Sequence, residues 1–223
     1  MNIFIDLDGP ILNNLPRLYQ LYCDLTRSIG IPPIPQGAYW RSKRERVSEK
    51  EILHKSGCFN ERLIAEYEAR RYRKIESAKY LILNKLTSGC CGALDFLSQK
   101  GNLVLITTRK NKRNLSWEIN RKKISHYFSA ILCDYSDQLS VGHLKQQLIR
   151  SYRNLNASDA RDIIIGDTEA EIECGSKLNI FSIALTNGIR KKSELLLHQP
   201  DFICRDLVEA VKNWHKIERK MTR

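Results

Sequence analysis

The chain has 223 residues, of which 42% are hydrophobic, which is enough for one domain or for a core with a smaller inserted domain. It contains no apolar run near the length of a membrane span and no signal-peptide pattern, so we expect a cytoplasmic protein without a membrane partner. The net charge of +12 favours anionic partners, but the basic residues are spread along the chain without a nucleic-acid-binding motif, so nucleic acid is not the expected partner.

The first predicted element is a buried strand over residues 2–5, which are apolar and rich in β-branched and aromatic side chains. Asp6 and Asp8 follow at alternate positions, and Gly9 with Pro10 ends the strand. The carboxyl ends of strands are where open α/β sheets bind their ligands. Two carboxylates this close repel each other, and a divalent cation with oxygen ligands relieves the repulsion. The stretch therefore indicates a metal site, with a plain polar turn as the alternative.

The segment Asp6-Leu7-Asp8-Gly9 resembles the first motif of the haloacid dehalogenase (HAD) superfamily, whose members are mostly phosphatases. The family usually has Thr or Val after the glycine, whereas this chain has Pro10, which removes a backbone donor. The resemblance implies that Asp6 attacks phosphorus and that Asp8 serves as general acid and then general base. It also implies that Mg²⁺ binds to Asp6 and to the backbone carbonyl of Asp8.

The next stretch, residues 13–86, has helical periodicity in place of alternating strands and helices. Helices are predicted over 13–29, from Ser48 to about Gly57, and from Asn60 onward. One side of the last helix is predicted to carry Ile64, Tyr67, Arg71, Ile75, Ala78 and Ile82. This insert resembles the helical cap of phosphoglycolate-phosphatase-like HAD proteins. The resemblance implies an α/β core made of 1–12 and 87–223, with the cap over 13–86.

Within the insert, residues 40–46 hold four cations and one tryptophan. The core is expected to recognise only the phosphoryl group, which all substrates share. Other residues must therefore distinguish one substrate from another. We therefore expect Lys43 or Arg44 to bind a second anionic or polyhydroxyl group of the substrate. A solvated basic helix face is the alternative.

A helix is predicted to end at Gly101, and a buried strand over 103–106 leads to Thr107, Thr108 and Arg109. An apolar strand that ends in Thr resembles the second HAD motif, in which the hydroxyl and nearby amides hold a phosphoryl oxygen. The resemblance implies a catalytic Thr107 and substrate binding by Thr108 and Arg109. For Arg109, solvent exposure is the alternative.

A basic helix from 111 to about 125 and a strand over 130–133 are predicted next, followed by an amphipathic helix over 144–152. Lys145 lies at the start of that helix, where the third HAD motif has a lysine. The resemblance implies that Lys145 neutralises the phosphate and the crowded carboxylates. In so basic a chain, a solvated surface lysine is the alternative.

Residues 162–172 run through a strand, a glycine, Asp167 and the start of a helix. They resemble the fourth HAD motif, G-D-x-x-x-[DE], with Glu171 in the last slot. The resemblance implies that Asp167 binds the metal directly and that Glu171 binds it through water or orients Lys145. Acidic residues that only suit the helix dipole are the alternative. Strands over 180–185 and 200–203 follow, and a terminal helix begins at Asp206.

The seven cysteines and five histidines are isolated along the chain. No C-x-x-C pair is present, so we expect reduced thiols and neither a zinc site nor a redox dithiol.

Together the motifs predict a Rossmann-like α/β core with a parallel sheet and an inserted helical cap. The resemblance implies a Mg²⁺-dependent phosphatase that acts through an aspartyl-phosphate on a small phosphorylated metabolite, as a monomer or homodimer. Dehalogenating members lack the second carboxylate, so Asp8 favours phosphate esters. The alternatives are a sugar phosphomutase, a nucleotide or nucleic-acid-end phosphatase, and a catalytically silent phosphate-binding protein.

Overall fold

The computed structural model describes residues 1–156 and 162–222. The chain forms two compact units. We call Met1–Leu12 with Leu86–Arg223 the core unit and Asn13–Lys85 the helical unit. No helix in the described ranges is both long enough and apolar enough to cross a bilayer.

The strands of the described chain are β1 (Asn2–Asp6), β2 (Leu12–Asn13), β3 (Lys85–Leu86), β4 (Asn102–Thr107), β5 (Ala130–Cys133), β6 (Ile163–Gly166), β7 (Phe181–Leu185) and β8 (Phe202–Cys204). The helices are α1 (Leu15–Ser28), α2 (Gln36–Arg44), α3 (Glu49–Lys55), α4 (Glu61–Lys74), α5 (Ala78–Leu81), α6 (Cys90–Lys100), α7 (Lys112–Arg121), α8 (Val141–Leu155), α9 (Glu169–Leu178), α10 (Lys192–Leu197), α11 (Leu207–Lys212) and α12 (Trp214–Met221). A 3₁₀ helix covers Ser125–Tyr127.

The described residues of the core unit form a six-stranded parallel sheet in the order β5-β4-β1-β6-β7-β8. From β1 the chain passes to β4 and β5 on one side, and then returns to build β6, β7 and β8 on the other. The direction of winding therefore reverses between β1 and β6. In open α/β sheets such a reversal opens a ligand crevice at the carboxyl ends of the strands. The predicted α/β class with a parallel sheet is confirmed.

The middle residues of the central strands are apolar because both faces of the sheet are covered. Ile3 and Ile5 pack into one buried cluster, and Phe4 between them packs into the other. Neighbouring strands alternate in the same way. Burial of one such side chain contributes roughly 1.5–3 kcal/mol. The sheet is therefore a rigid platform for residues at its edge.

In the helical unit, side chains fix the starts of two helices. Ser48 and Glu51 form a capping box at α3, and the Asn60 side chain accepts hydrogen bonds from the first turn of α4. The interior contains aromatic rings. Tyr22 and Tyr39 stack with ring centroids 4.7 Å apart, and Tyr67 meets Tyr22 edge-on.

Several predicted helix bounds were wrong. The helix expected to reach Ile82 ends at Lys74, because Ser77 adopts an extended conformation and separates α4 from the single turn of α5. The basic helix ends at Arg121, shortly before Lys123 with φ of 54°. The terminal helix is interrupted at Asn213 between α11 and α12.

Candidate active site

Asp6 is the last residue of β1, at the carboxyl edge of the parallel sheet. It lies opposite Ile106 in the register of β1 with β4, and Thr107 ends β4 one residue later. On the other side of β1, β6 ends at Gly166, so Asp167 leaves the sheet at the same edge. The parallel topology therefore brings three separate motifs to one end of the sheet.

Lys145 reaches this edge from α8 and is only 3% exposed. Its Nζ donates a 2.8 Å hydrogen bond to Asp6 Oδ1 and a second one to Glu171 Oε1. Burial acts to lower the pKa of Lys145, but the charges of Asp6 and Glu171 outweigh it and raise the pKa above its ordinary value. Lys145 is therefore a fixed buried cation, and the solvated surface charge is excluded.

Burial raises the pKa of Asp6 to about 6; the Lys145 charge opposes this shift and the Glu171 charge adds to it. A buried carboxylate with an elevated pKa next to a specific charge partner is typical of functional sites.

Both carboxylate oxygens of Glu171 accept hydrogen bonds. Oε1 binds Lys145, while Oε2 accepts from Thr168 N at 3.1 Å and from Thr168 Oγ1 at 2.6 Å. Thr168 and Glu171 thus form the capping box of α9. A Cβ at position 166 would overlap Glu171, so Gly166 makes room for this carboxylate. Of the two predicted roles of Glu171, the geometry favours orienting Lys145.

Asp167 is completely buried. Its Oδ2 accepts a 2.6 Å hydrogen bond from Ile189 N, while Oδ1 has no hydrogen-bond donor among the described residues. Burial, followed by the charges of Asp6 and Glu171, raises the pKa of Asp167 well above its ordinary value. A buried oxygen without a donor costs free energy unless another group satisfies it.

The space around Asp167 is defined by two glycines. A Cβ at Gly9, where φ is 110°, or at Gly188 would overlap the Asp167 carboxylate. The backbone therefore approaches this carboxylate more closely than any side chain would permit. Such a close approach holds Asp167 in one place.

The donor set suits a hard divalent cation. In the described part of the chain, no three His, Cys, Asp or Glu side chains converge as a complete metal-binding cluster. Mg²⁺ does not need one, since it commonly binds through one or two carboxylates and retains several waters. The orphaned Oδ1 of Asp167 and the excess of buried negative charge around Asp6 and Glu171 both fit such an ion.

Asp8 lies just beyond β1 and is held by Arg109. Arg109 Nε donates to Asp8 Oδ2 at 2.7 Å, and Nη2 donates to Asp8 Oδ1 at 2.9 Å. The same Arg109 Nη2 lies 3.3 Å from Glu118 Oε2, which is close enough for an ion pair. The Arg109 side chain is 6% exposed, which excludes the solvent-facing alternative.

The remaining predicted residues lie in two places. Thr107 is buried at the end of β4, and Thr108 follows it half-buried. Lys43 and Arg44 are on α2 of the helical unit, where Lys43 donates a 2.8 Å hydrogen bond to Glu49. Substrate binding by Lys43 and Arg44 stays a prediction.

Three contributors to the site were not predicted from the sequence: Glu118, Thr168 and the Ile189 amide. Glu118 shares the buried side of α7 with Leu115 and Ile119, and an acid on an apolar face was a readable signal. The spacing of Thr168 and Glu171 also matched a capping box. The Ile189 amide left no signal in the sequence.

Residues 3–185 match the protein-family model for haloacid dehalogenase-like hydrolases. A search of curated proteins gave no significant match. Among solved structures, a haloacid dehalogenase-like hydrolase from Streptococcus pneumoniae is similar at 22% identity, with a TM-score of 0.73 over 96% of this chain and 97% of the other. A protein from Clostridium acetobutylicum described as a phosphatase gives 24% identity and 0.74 over 96% and 98%. One from Thermotoga maritima described as a beta-phosphoglucomutase gives 18% and 0.67 over 96% and 98%.

Proposed function

The chain belongs to the haloacid dehalogenase-like hydrolases, and we propose that within this family it is a Mg²⁺-dependent phosphatase of small phosphate monoesters. The observation that carries the proposal is the buried contact between Lys145 and Asp6 at the edge of the sheet, beside Asp167. This contact places a fixed cation, Lys145, beside the anionic nucleophile, Asp6.

Asp6 is the proposed nucleophile. One of its carboxylate oxygens forms a bond to phosphorus while the bond from phosphorus to the ester oxygen breaks, which gives an aspartyl-phosphate and an alcohol. This covalent step replaces one difficult displacement by two easier ones. Lys145 supports the first step because its hydrogen bond holds Asp6 in a single orientation.

Asp8 is the proposed general acid and base. In the first step its protonated carboxyl group gives its proton to the departing ester oxygen. In the second step the resulting carboxylate takes a proton from water as the water oxygen attacks phosphorus and releases Asp6. The proton returns to Asp8, so the cycle is balanced.

Asp6 and Asp167, with the backbone carbonyl of Asp8, are the proposed ligands of Mg²⁺. When bound, the ion supplies positive charge that screens the repulsion between an anionic nucleophile and an anionic ester. The proposed role of Thr107 is to donate its hydroxyl hydrogen to a phosphoryl oxygen, and Thr108 and Arg109 are proposed to line the same end of the sheet. Positive charge and donors placed where the transferring group gathers charge are the main requirement of phosphoryl transfer.

A sugar phosphomutase of the same fold remains the second candidate, since it uses the same two carboxylates. A panel of phosphorylated metabolites that includes sugar phosphates and nucleotides separates the candidates. A phosphatase releases inorganic phosphate, whereas a mutase gives an isomeric sugar phosphate with little free phosphate.

The direct test is Asp6→Asn, assayed with p-nitrophenyl phosphate and Mg²⁺. The variant retains the size of the side chain but not its nucleophilic charge, so we expect a folded protein without measurable turnover. Asp95→Asn, which changes an exposed carboxylate on α6, is the matched control. Substantial turnover by a folded Asp6→Asn protein would overturn the mechanism.

A further inference from the structure

The contact between Asp8 and Arg109 has the geometry of a clamp. Two parallel N–H···O bonds, at 2.7 and 2.9 Å, join the guanidinium fork to both oxygens of the carboxylate. Paired bonds of this kind fix the plane of a carboxylate as well as its position.

Arg109 makes two further contacts. Glu118, 1% exposed on the buried side of α7, lies 3.3 Å from Arg109 Nη2. The Cys133 thiol at the end of β5 donates a 3.0 Å hydrogen bond to the Arg109 carbonyl oxygen. Glu118, Arg109 and Asp8 therefore form a continuous chain of charge pairs from α7 to the loop after β1.

Stability alone is a weak explanation for this arrangement. Burial of an ion pair removes hydration that the pair recovers only in part, and an apolar replacement is often as stable. The exposure of the three side chains falls from 22% at Asp8 to 6% at Arg109 and 1% at Glu118. These charge pairs thus present the Asp8 carboxylate to the site and keep Arg109 and Glu118 away from solvent.

We propose that Arg109 is a positioning residue that orients Asp8 for proton transfer to the leaving group, with Glu118 holding Arg109 in place. The inference rests on the proposed function, because it assumes that Asp8 is the proton donor. It differs from the expectation that Arg109 binds substrate directly. A substrate contact would act on every ester alike, whereas an oriented proton donor matters most for poor leaving groups.

The test compares kcat/KM for p-nitrophenyl, phenyl and ethyl phosphate with Mg²⁺ in the wild type, Arg109→Lys, Arg109→Gln and Glu118→Gln. This parameter covers only the steps through departure of the leaving group. Lysine retains the charge of Arg109 but not its fork. For Arg109→Lys we expect an approximately 100-fold loss on ethyl phosphate and less than about fivefold on p-nitrophenyl phosphate. For Glu118→Gln we expect a loss of kcat/KM on ethyl phosphate that is smaller than the loss in Arg109→Lys.

Arg113→Lys is the matched control, since Arg113 is exposed on α7. It should leave the dependence on the leaving group unchanged. A second check is the Asp8→Asn background, in which Arg109→Lys should cost little further activity on phenyl phosphate, because residues that act as a unit are not additive.

Three other outcomes would overturn the proposal. Equal losses of kcat/KM on all three esters would overturn the positioning role in favour of a direct substrate contact. Failure of all Arg109 and Glu118 variants to fold would assign the charge pairs to stability and overturn it as well. If the wild type hydrolyses none of the esters, the proposed function itself fails, and the inference fails with it.

Discussion

Lys145 Nζ lies 2.8 Å from Asp6 Oδ1, although the two residues are 139 positions apart in the chain. The same ammonium group binds Glu171. A single buried cation thus joins the end of β1 to the start of α9. It compensates part of the negative charge that Asp6, Glu171 and Asp167 bring together.

Lys145→Met should therefore affect both stability and activity. Removal of the cation leaves two buried carboxylates without their partner, which costs about 3–5 kcal/mol of unfolding free energy. Loss of a preorganised charge at the nucleophile should lower kcat/KM by about 100-fold or more. Urea unfolding and p-nitrophenyl phosphate hydrolysis measure the two effects, with the exposed Lys216→Met as control. Full activity in a folded Lys145→Met protein would contradict the role of Lys145.

Metal binding can be measured apart from turnover. Mg²⁺ at about 100 times its Kd should stabilise the folded protein by about 2.7 kcal/mol, visible as a rise in Tm, and excess chelator should reverse the rise. Asp167→Asn removes a charged ligand, so the Mg²⁺ concentration that gives half of the rise in Tm should increase at least about tenfold. Asp95→Asn should leave it unchanged. A Tm that ignores both Mg²⁺ and chelator would count against the metal site.

Gly188 gives a steric test of the same carboxylate. A Cβ at position 188 would overlap Asp167, whereas one at Gly92, an exposed position in α6, would meet nothing. Gly188→Ala should displace Asp167 and raise about tenfold the Mg²⁺ concentration that gives half of the rise in Tm, here called the Mg²⁺ requirement. Gly92→Ala should retain the wild-type requirement and stabilise the protein by up to about 1 kcal/mol, because Ala favours a helix interior. Equal Mg²⁺ requirements in the two variants would show that Asp167 tolerates the added carbon.

The fold was largely predictable because its signals are local. Apolar runs such as 103–106 mark buried strands, and a carboxylate directly after a run marks the sheet edge. The capping residues Ser48 and Asn60 marked helix starts correctly. Helix ends were harder, since the apolar spacing of Ile75 and Ile82 continues past Ser77. Ile82 is 49% exposed, so the periodicity there reflected no burial.

The site was less predictable because its contacts are distant in sequence. Arg109 pairs with Asp8 across 101 positions, and no local pattern distinguishes that arrangement from a solvent-facing arginine. Glu171 had two open roles until the Lys145 contact favoured one. Lys43 stood out by its charge, but charge patterning does not reveal that Glu49 is its partner.

Glu49 gives the helical unit a pH-dependent contribution to stability. Its side chain is 13% exposed. Glu49 Oε1 lies 2.8 Å from Lys43 Nζ and 3.1 Å from Arg71 Nε, and Oε2 accepts a 3.0 Å hydrogen bond from the Tyr67 hydroxyl. Burial acts to raise the pKa of Glu49, but Arg71 and Lys43 outweigh it and hold the pKa below the ordinary 4.5. The contribution is therefore complete above about pH 4.5 and is lost as the pH falls through the lowered value.

Glu49→Gln should lower the unfolding free energy at pH 7 by about 2 kcal/mol, between the values for exposed and buried pairs, because two half-buried cations lose their charged partner. The difference from the wild type should shrink as the pH falls below 4.5, because Glu49 then takes up a proton in the unfolded state before it does so in the folded state. Urea unfolding of the full chain across this range measures it, with the exposed Glu68→Gln as control. Lys43→Ala should likewise lose stability at pH 7, and a fully stable variant with a raised KM for the natural substrate would instead favour the substrate contact. A difference between Glu49→Gln and the wild type that stays constant from pH 7 to pH 3 would contradict the ionised cluster.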